Sequence, residues 1–82
     1  GGYEERKMYK WNMVSYIIMK QLVETRYKND ELFRRIVDYG NHRKVEFKHF
    51  ERSGEKSYWG GYFKDNTWKG NNALGKIFMD LP

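Results

Sequence analysis

The sequence predicts a small α+β domain, mainly α: a helix pair, a short β-hairpin and a C-terminal helix. Three observations carry that expectation. Apolar residues recur at helical spacing in the first half of the chain and again near its end. From Val45 the apolar period shortens to two. Asn, Asp and Gly stand at the breaks between these stretches. A chain of 82 residues has room for one small domain.

Residues 1–10 form a charged lead-in, and 11–82 carry the patterned domain. Asn12 is a candidate N-cap. After it, Val14, Ile17, Ile18 and Leu22 fall on one helix face, and Met13, Met19 and Val23 widen the stripe. The pattern predicts a helix from about Met13 to Tyr27, packed on more than one side. Asn29-Asp30 breaks it and supplies a new cap, with Glu31 near the positive helix end. Leu32, Phe33, Ile36 and Val37 predict a second short helix, with Gly40 as its left-handed terminator. Val45, Phe47 and His49 alternate with Glu46, Lys48 and Phe50, which predicts a strand. Ser53-Gly54 is the expected turn, and Lys56 to Phe63 the expected return, interrupted by Gly60-Gly61. A further turn is expected at Asp65-Asn66. Gly70-Asn71-Asn72 then precedes a helix carrying Leu74, Ile77, Phe78 and Leu81. Gly75 inside that helix costs about 1 kcal/mol against alanine, which predicts close packing against a neighbour.

The composition bounds the function classes. Short chains bury only roughly 60% of their unfolded surface, and no cysteine is present to add disulfides. Aromatic residues, 18% of the chain, are the available compensation. The net charge of +5 favours acidic partners such as nucleotides or nucleic acid. No stretch is long and apolar enough to span a membrane and no signal-peptide pattern is seen, so a cytoplasmic location without membrane attachment is expected.

The candidate chemistry is concentrated late in the chain. Tyr58-Trp59-Gly60-Gly61 can wall a flat base, or its rings can simply fill the core. Gly70-Asn71-Asn72 can offer helix-start N–H groups to an anion, or act as an ordinary cap. Glu46 can stabilise a developing sugar cation or polarise a water, or be merely solvated. His42 and His49 lack companion ligands, so no metal is expected. There is no phosphate-binding glycine loop of the familiar kinds.

Taken together, these motifs resemble the NADAR family, the NAD- and ADP-ribose-associated domain proteins. The carriers are Tyr58-Trp59-Gly60, then Gly70-Asn71-Asn72-Ala73-Leu74-Gly75-Lys76-Ile77-Phe78-Met79. Upstream, Met19, Arg26-Tyr27, Asn29-Asp30-Glu31-Leu32, Tyr39-Gly40 and Val45-Glu46 follow the family's order. The resemblance covers the C-terminal half of the family's domain. It implies an N-glycosidase that binds ADP-ribose or phosphoribosyl-type ligands, including ADP-ribosylated nucleic acid, and cleaves a ribose–base bond. It requires no cofactor. By the same resemblance, Glu46 is the catalytic candidate, and Trp59, Gly60, Asn72 and Tyr58 are the ligand-binding ones.

The departures set the limits of that expectation. The family's acidic Glu-x-Tyr-x-x-x-Lys helix is missing, and Lys56 stands where the family has an aspartate ahead of the tryptophan. The chain alone is therefore expected to be weak or inactive as an enzyme, with a homo-oligomer or a complementing second chain as the remedy. A non-catalytic binding or protein-interaction module, and a small basic nucleic-acid-binding domain, are the two alternatives.

Overall fold

A computed structural model describes residues 2–51 and 57–82. Among these described residues three helices and one antiparallel hairpin follow the order α1 (Gly2–Asn29), α2 (Glu31–His42), β1 (Tyr62–Lys64), β2 (Thr67–Lys69) and α3 (Ala73–Met79). The architecture is α+β and mainly α. Among the described residues no helix is long and apolar enough to cross a membrane.

α1 is longer than the expected Met13–Tyr27. The charged lead-in is part of it, and Asn12 lies inside it rather than capping it. Nothing in residues 3–12 breaks a helix. Glu4 and Glu5 in the first turn, with Arg26 and Lys28 in the last, suit the helix dipole. The face turned to the core also differs from the expected one. Val23 is buried, and Tyr16, Met19 and Tyr27 pack beside it, while Val14, Ile17, Ile18 and Leu22 are exposed. Both faces are apolar, so periodicity alone does not say which one the rest of the chain covers.

Asp30 caps α2 as expected. Its backbone is extended and its carboxylate accepts from the Phe33 N–H at 3.0 Å. Arg34 Nη1 donates to the Lys28 carbonyl at 3.2 Å, tying the end of α1 to the start of α2. Gly40 does not terminate α2. The helix runs on to His42, and the left-handed residue is Lys44, with φ 58°. Gly40 is instead buried against the Phe47 ring, which leaves no room for a side chain.

Residues 45–50 do not form a ladder strand. They run as a connection with a single parallel bridge from Phe50 to Gly61. The expected turn at Ser53-Gly54 and the start of the returning strand at Lys56 lie outside the described residues. The hairpin is formed further on, by β1 and β2, with Phe63 opposite Trp68. Asp65 and Asn66 are its two-residue loop. Both have positive φ, 51° and 64°, as a turn matched to strand twist requires. Around it Phe50 and Phe63 each meet Trp68 edge-on, with centroids 5.5 and 5.2 Å apart, and meet each other tilted at 6.1 Å.

The core is small: Val23, Val37, Ile77 and Leu81. Burying each aliphatic side chain contributes about 1.5–3 kcal/mol. Phe78 extends it, meeting Phe33 at 5.6 Å and Phe47 at 5.8 Å edge-to-face. Tyr27 closes the far end, its hydroxyl hydrogen-bonded to Asp38 and, at 2.9 Å, donating to the Pro82 carbonyl.

Candidate functional site

The Tyr58–Gly60 segment is held by the start of α3. The N–H groups of Asn71, Asn72, Ala73 and Leu74 donate to the carbonyls of Ser57, Gly60, Tyr58 and Trp59 at 2.9–3.1 Å. The donors expected to attract an anion are thus used inside the fold. Ser57 adds a second tie: its hydroxyl donates to Glu51 Oε2 at 2.6 Å and accepts from the Gly60 N–H at 3.0 Å.

Asn72 joins this segment to residues 47–49. Its backbone is left-handed, φ 54°, and its side chain makes no cap bond to α3. The carboxamide oxygen accepts from the His49 N–H at 2.9 Å, and Nδ2 donates to the Phe47 carbonyl at 2.8 Å. An asparagine fits here because the site demands one acceptor and one donor on the same planar group. The connection 45–50 therefore obtains part of its backbone pairing from a side chain instead of from a neighbouring strand.

The remaining candidates fall in different places. Gly60 is buried against the His49 carbonyl, so the close approach there is to the chain's own backbone. Trp59 packs on the hydrophobic core and meets the Tyr58 ring edge-on at 5.0 Å. Tyr58 turns to an apolar cavity of ≈ 320 Å³ that it shares with Tyr9, Asn12, Met13, Tyr16 and Ile17 of α1. Burial pushes the Tyr58 hydroxyl above its usual pKa, and Tyr16 adds to the effect.

Glu46 and Asn72 come together in another cavity, of ≈ 340 Å³, with Lys48, Trp68, Gly70, Asn71, Lys76 and Met79. Glu46 is exposed and paired with Lys48. The Lys48 hydrogen bond, then its charge, hold the carboxyl below its ordinary pKa. Lys48 Nζ also lies 5.5 Å from the Trp68 ring centre. Lys76 donates to Asn71 Oδ1 at 3.2 Å. The Trp68 Nε1–H is buried with no acceptor among the described residues.

This cavity offers two cations, an indole and carboxamide groups, which suit an anionic ligand carrying a flat ring. Glu46, ionised and paired, suits stabilising positive charge rather than donating a proton. Among the described residues no cluster of His, Cys, Asp or Glu could hold a metal ion. Sequence reasoning missed Trp68, Lys48 and Lys76 as lining residues, while Asn71 was named only within the Gly70-Asn71-Asn72 motif. The two left-handed loop residues Asp65-Asn66, flanked by alternating aromatics, were the available signal for β2 and hence for Trp68. No family model, curated protein or solved structure matches this chain.

Proposed function

We propose that this domain binds an ADP-ribose-like or other nucleotide-type ligand in the cavity between the 46–48 connection, β2 and the start of α3. The observation that carries the proposal is the pairing of Lys48 and Lys76 with the Trp68 indole around ≈ 340 Å³ of space. That volume lies in the range of small-molecule sites. The cations supply phosphate attraction and the indole a stacking surface. Glu46 stands at the same cavity, where its negative charge favours a sugar with developing positive charge. N-glycosidase chemistry on a ribose–base bond also needs a group that activates the leaving base. Among the described residues Glu46 is the one carboxylate lining this cavity, so the chain is proposed to bind without efficient turnover until a further group joins the site.

The test is a titration of ADP-ribose followed by tryptophan fluorescence. A saturable change that disappears in Trp68→Phe and weakens in Lys76→Gln supports the proposal. The same loss in Trp59→Phe instead moves the site to the Tyr58–Trp59 segment. No response at about 1 mM ligand, a binding free energy weaker than about −4 kcal/mol, refutes binding at either place. A single-stranded oligonucleotide in place of ADP-ribose, bound with a steep salt dependence, would favour the nucleic-acid alternative.

A further inference from the structure

The core side of α1 continues past the core. Tyr16, Met19, Val23 and Tyr27 pack there. The same face runs on towards the N-terminus through Asn12, Tyr9 and Glu5. With Tyr16, these three span about 60° of arc at 3.6 residues per turn. Along this stretch α1 and the Tyr58 segment border the cavity of ≈ 320 Å³. Tyr9 is 70% and Met13 50% exposed, so the side chains stand around open space.

The lining has a definite chemistry. Three of its six residues are tyrosines, Tyr9 and Tyr16 from α1 and Tyr58 from the loop. The Tyr16 hydroxyl adds to the rise in the Tyr58 pKa, as two phenols near each other require. Tyr9 and Tyr16 are seven residues apart, about 10 Å along the helix axis. Ring contacts of about 4 Å at each end leave a space for a rounded group, which a flat ring would fill on one side only. Among the described residues that line the cavity, none is acidic or basic. Charges are segregated around it. Arg6, Lys7 and Lys10 line a different cavity, and the Arg6 Nε–H donates to the Gly2 carbonyl at 3.1 Å. Glu5 stands one turn beyond Tyr9 on the tyrosine face, and Lys20 one turn beyond Tyr16 at the opposite end.

We propose that Tyr9, Tyr16 and Tyr58 form an aromatic cage for the trimethylammonium group of a small molecule, with Glu5 at its anionic end. A trimethylammonium group has no N–H, so a lining poor in acceptors leaves nothing unsatisfied. Its charge is attracted to the faces of phenol rings. The volume stands at the lower end of small-molecule sites. The cage is separate from the Trp68 cavity, and neither site depends on the other.

The experiment titrates choline into the full 82-residue chain at constant ionic strength and follows the tyrosine ring resonances by NMR. Dimethylbutanol, with a carbon in place of the choline nitrogen, is the uncharged control of the same shape. Choline should shift the Tyr9, Tyr16 and Tyr58 resonances saturably at or below about 10 mM. Dimethylbutanol should bind several-fold more weakly. Tyr9→Phe should keep the choline affinity, Tyr9→Leu should lose several-fold, and Glu5→Gln should lose less. Dimethylbutanol binding as tightly as choline overturns the proposal, because the cavity then accepts any apolar group. Phenol binding more tightly than choline overturns it too, in favour of a flat ring. So do an unchanged affinity in Tyr9→Leu and the absence of any shift at about 10 mM choline. If Tyr9→Leu loses its helical circular dichroism, the choline and dimethylbutanol comparison on the parent chain decides.

Discussion

Replacing Asn72 by alanine tests how the 45–50 connection is held. The substitution removes two hydrogen bonds, to the His49 N–H and the Phe47 carbonyl. Each such bond contributes about 1 kcal/mol net, and a buried group left unpaired costs about 1–3 kcal/mol. The backbone at 72 is left-handed, which asparagine tolerates and alanine resists by roughly 1 kcal/mol more. The sum is about 3–4 kcal/mol. A domain of this size has a total stability of about 4–12 kcal/mol, so the variant sits near the edge of folding. Asn72→Gly keeps the backbone angle and loses only the bonds, so its cost is about 2–3 kcal/mol. Asn72→Asp keeps the acceptor for His49 but sets a carboxylate oxygen against the Phe47 carbonyl, and gains nothing over glycine. Urea unfolding followed by circular dichroism reads these differences as shifts in midpoint at constant slope. Asn72→Ala within about 0.5 kcal/mol of the parent would refute the clamp, because surface substitutions without a structural role fall in that range. Equal costs for alanine and glycine would refute the backbone contribution alone.

Three further outcomes are expected. Gly75→Ala gains about 1 kcal/mol of helix propensity, yet its methyl would collide with the Phe47 carbonyl and lie 2.6 Å from Asn72 Oδ1, so a thermal melt should show net destabilisation. Asn66→Gly relieves the left-handed loop residue at φ 64° and should raise the melting temperature slightly, by a few tenths of a kcal/mol in stability. The Asp30 carboxyl is held below its ordinary value of 3.8 by the Phe33 N–H hydrogen bond, with Arg26 assisting. A depressed folded pKa gives stability that is present above the ordinary value and lost as pH falls through the folded one. Acid unfolding followed by circular dichroism should therefore lose part of its slope below about pH 4 in Asp30→Asn.

Much of the helical framework was legible in the sequence. Asp30 caps α2 as its position announced, since a cap acts on residues three places away and local sequence specifies it fully. Gly75 was marked by its cost inside a helix, and the structure supplies the contact behind it, the Phe47 carbonyl. Gly40 was misread because a glycine near a helix end suits two purposes, a left-handed turn or a neighbour's ring. Only the position of Phe47 distinguishes them. The 45–50 stretch has the period of a strand. A strand, however, needs a partner backbone, and here most of the pairing comes from Asn72 and Gly61. The candidate site was legible in part. Glu46 and Asn72 share a cavity, whereas Trp59 and Tyr58 are directed elsewhere, and Trp68 and Lys76 enter only through the pairing of β1 with β2 and the placement of α3.

The sequence by itself determined the fold class, the α1–α2 break at Asp30, the turn at Asp65-Asn66 and the helix after Asn72. Each follows from residues within a few places of one another. The tertiary structure decided which face of α1 is covered, what Asn72 binds, and which aromatic ring stands beside Lys48. These are contacts between segments far apart in the chain. Hydrophobic period and turn chemistry constrain a segment's shape but not the neighbour it meets.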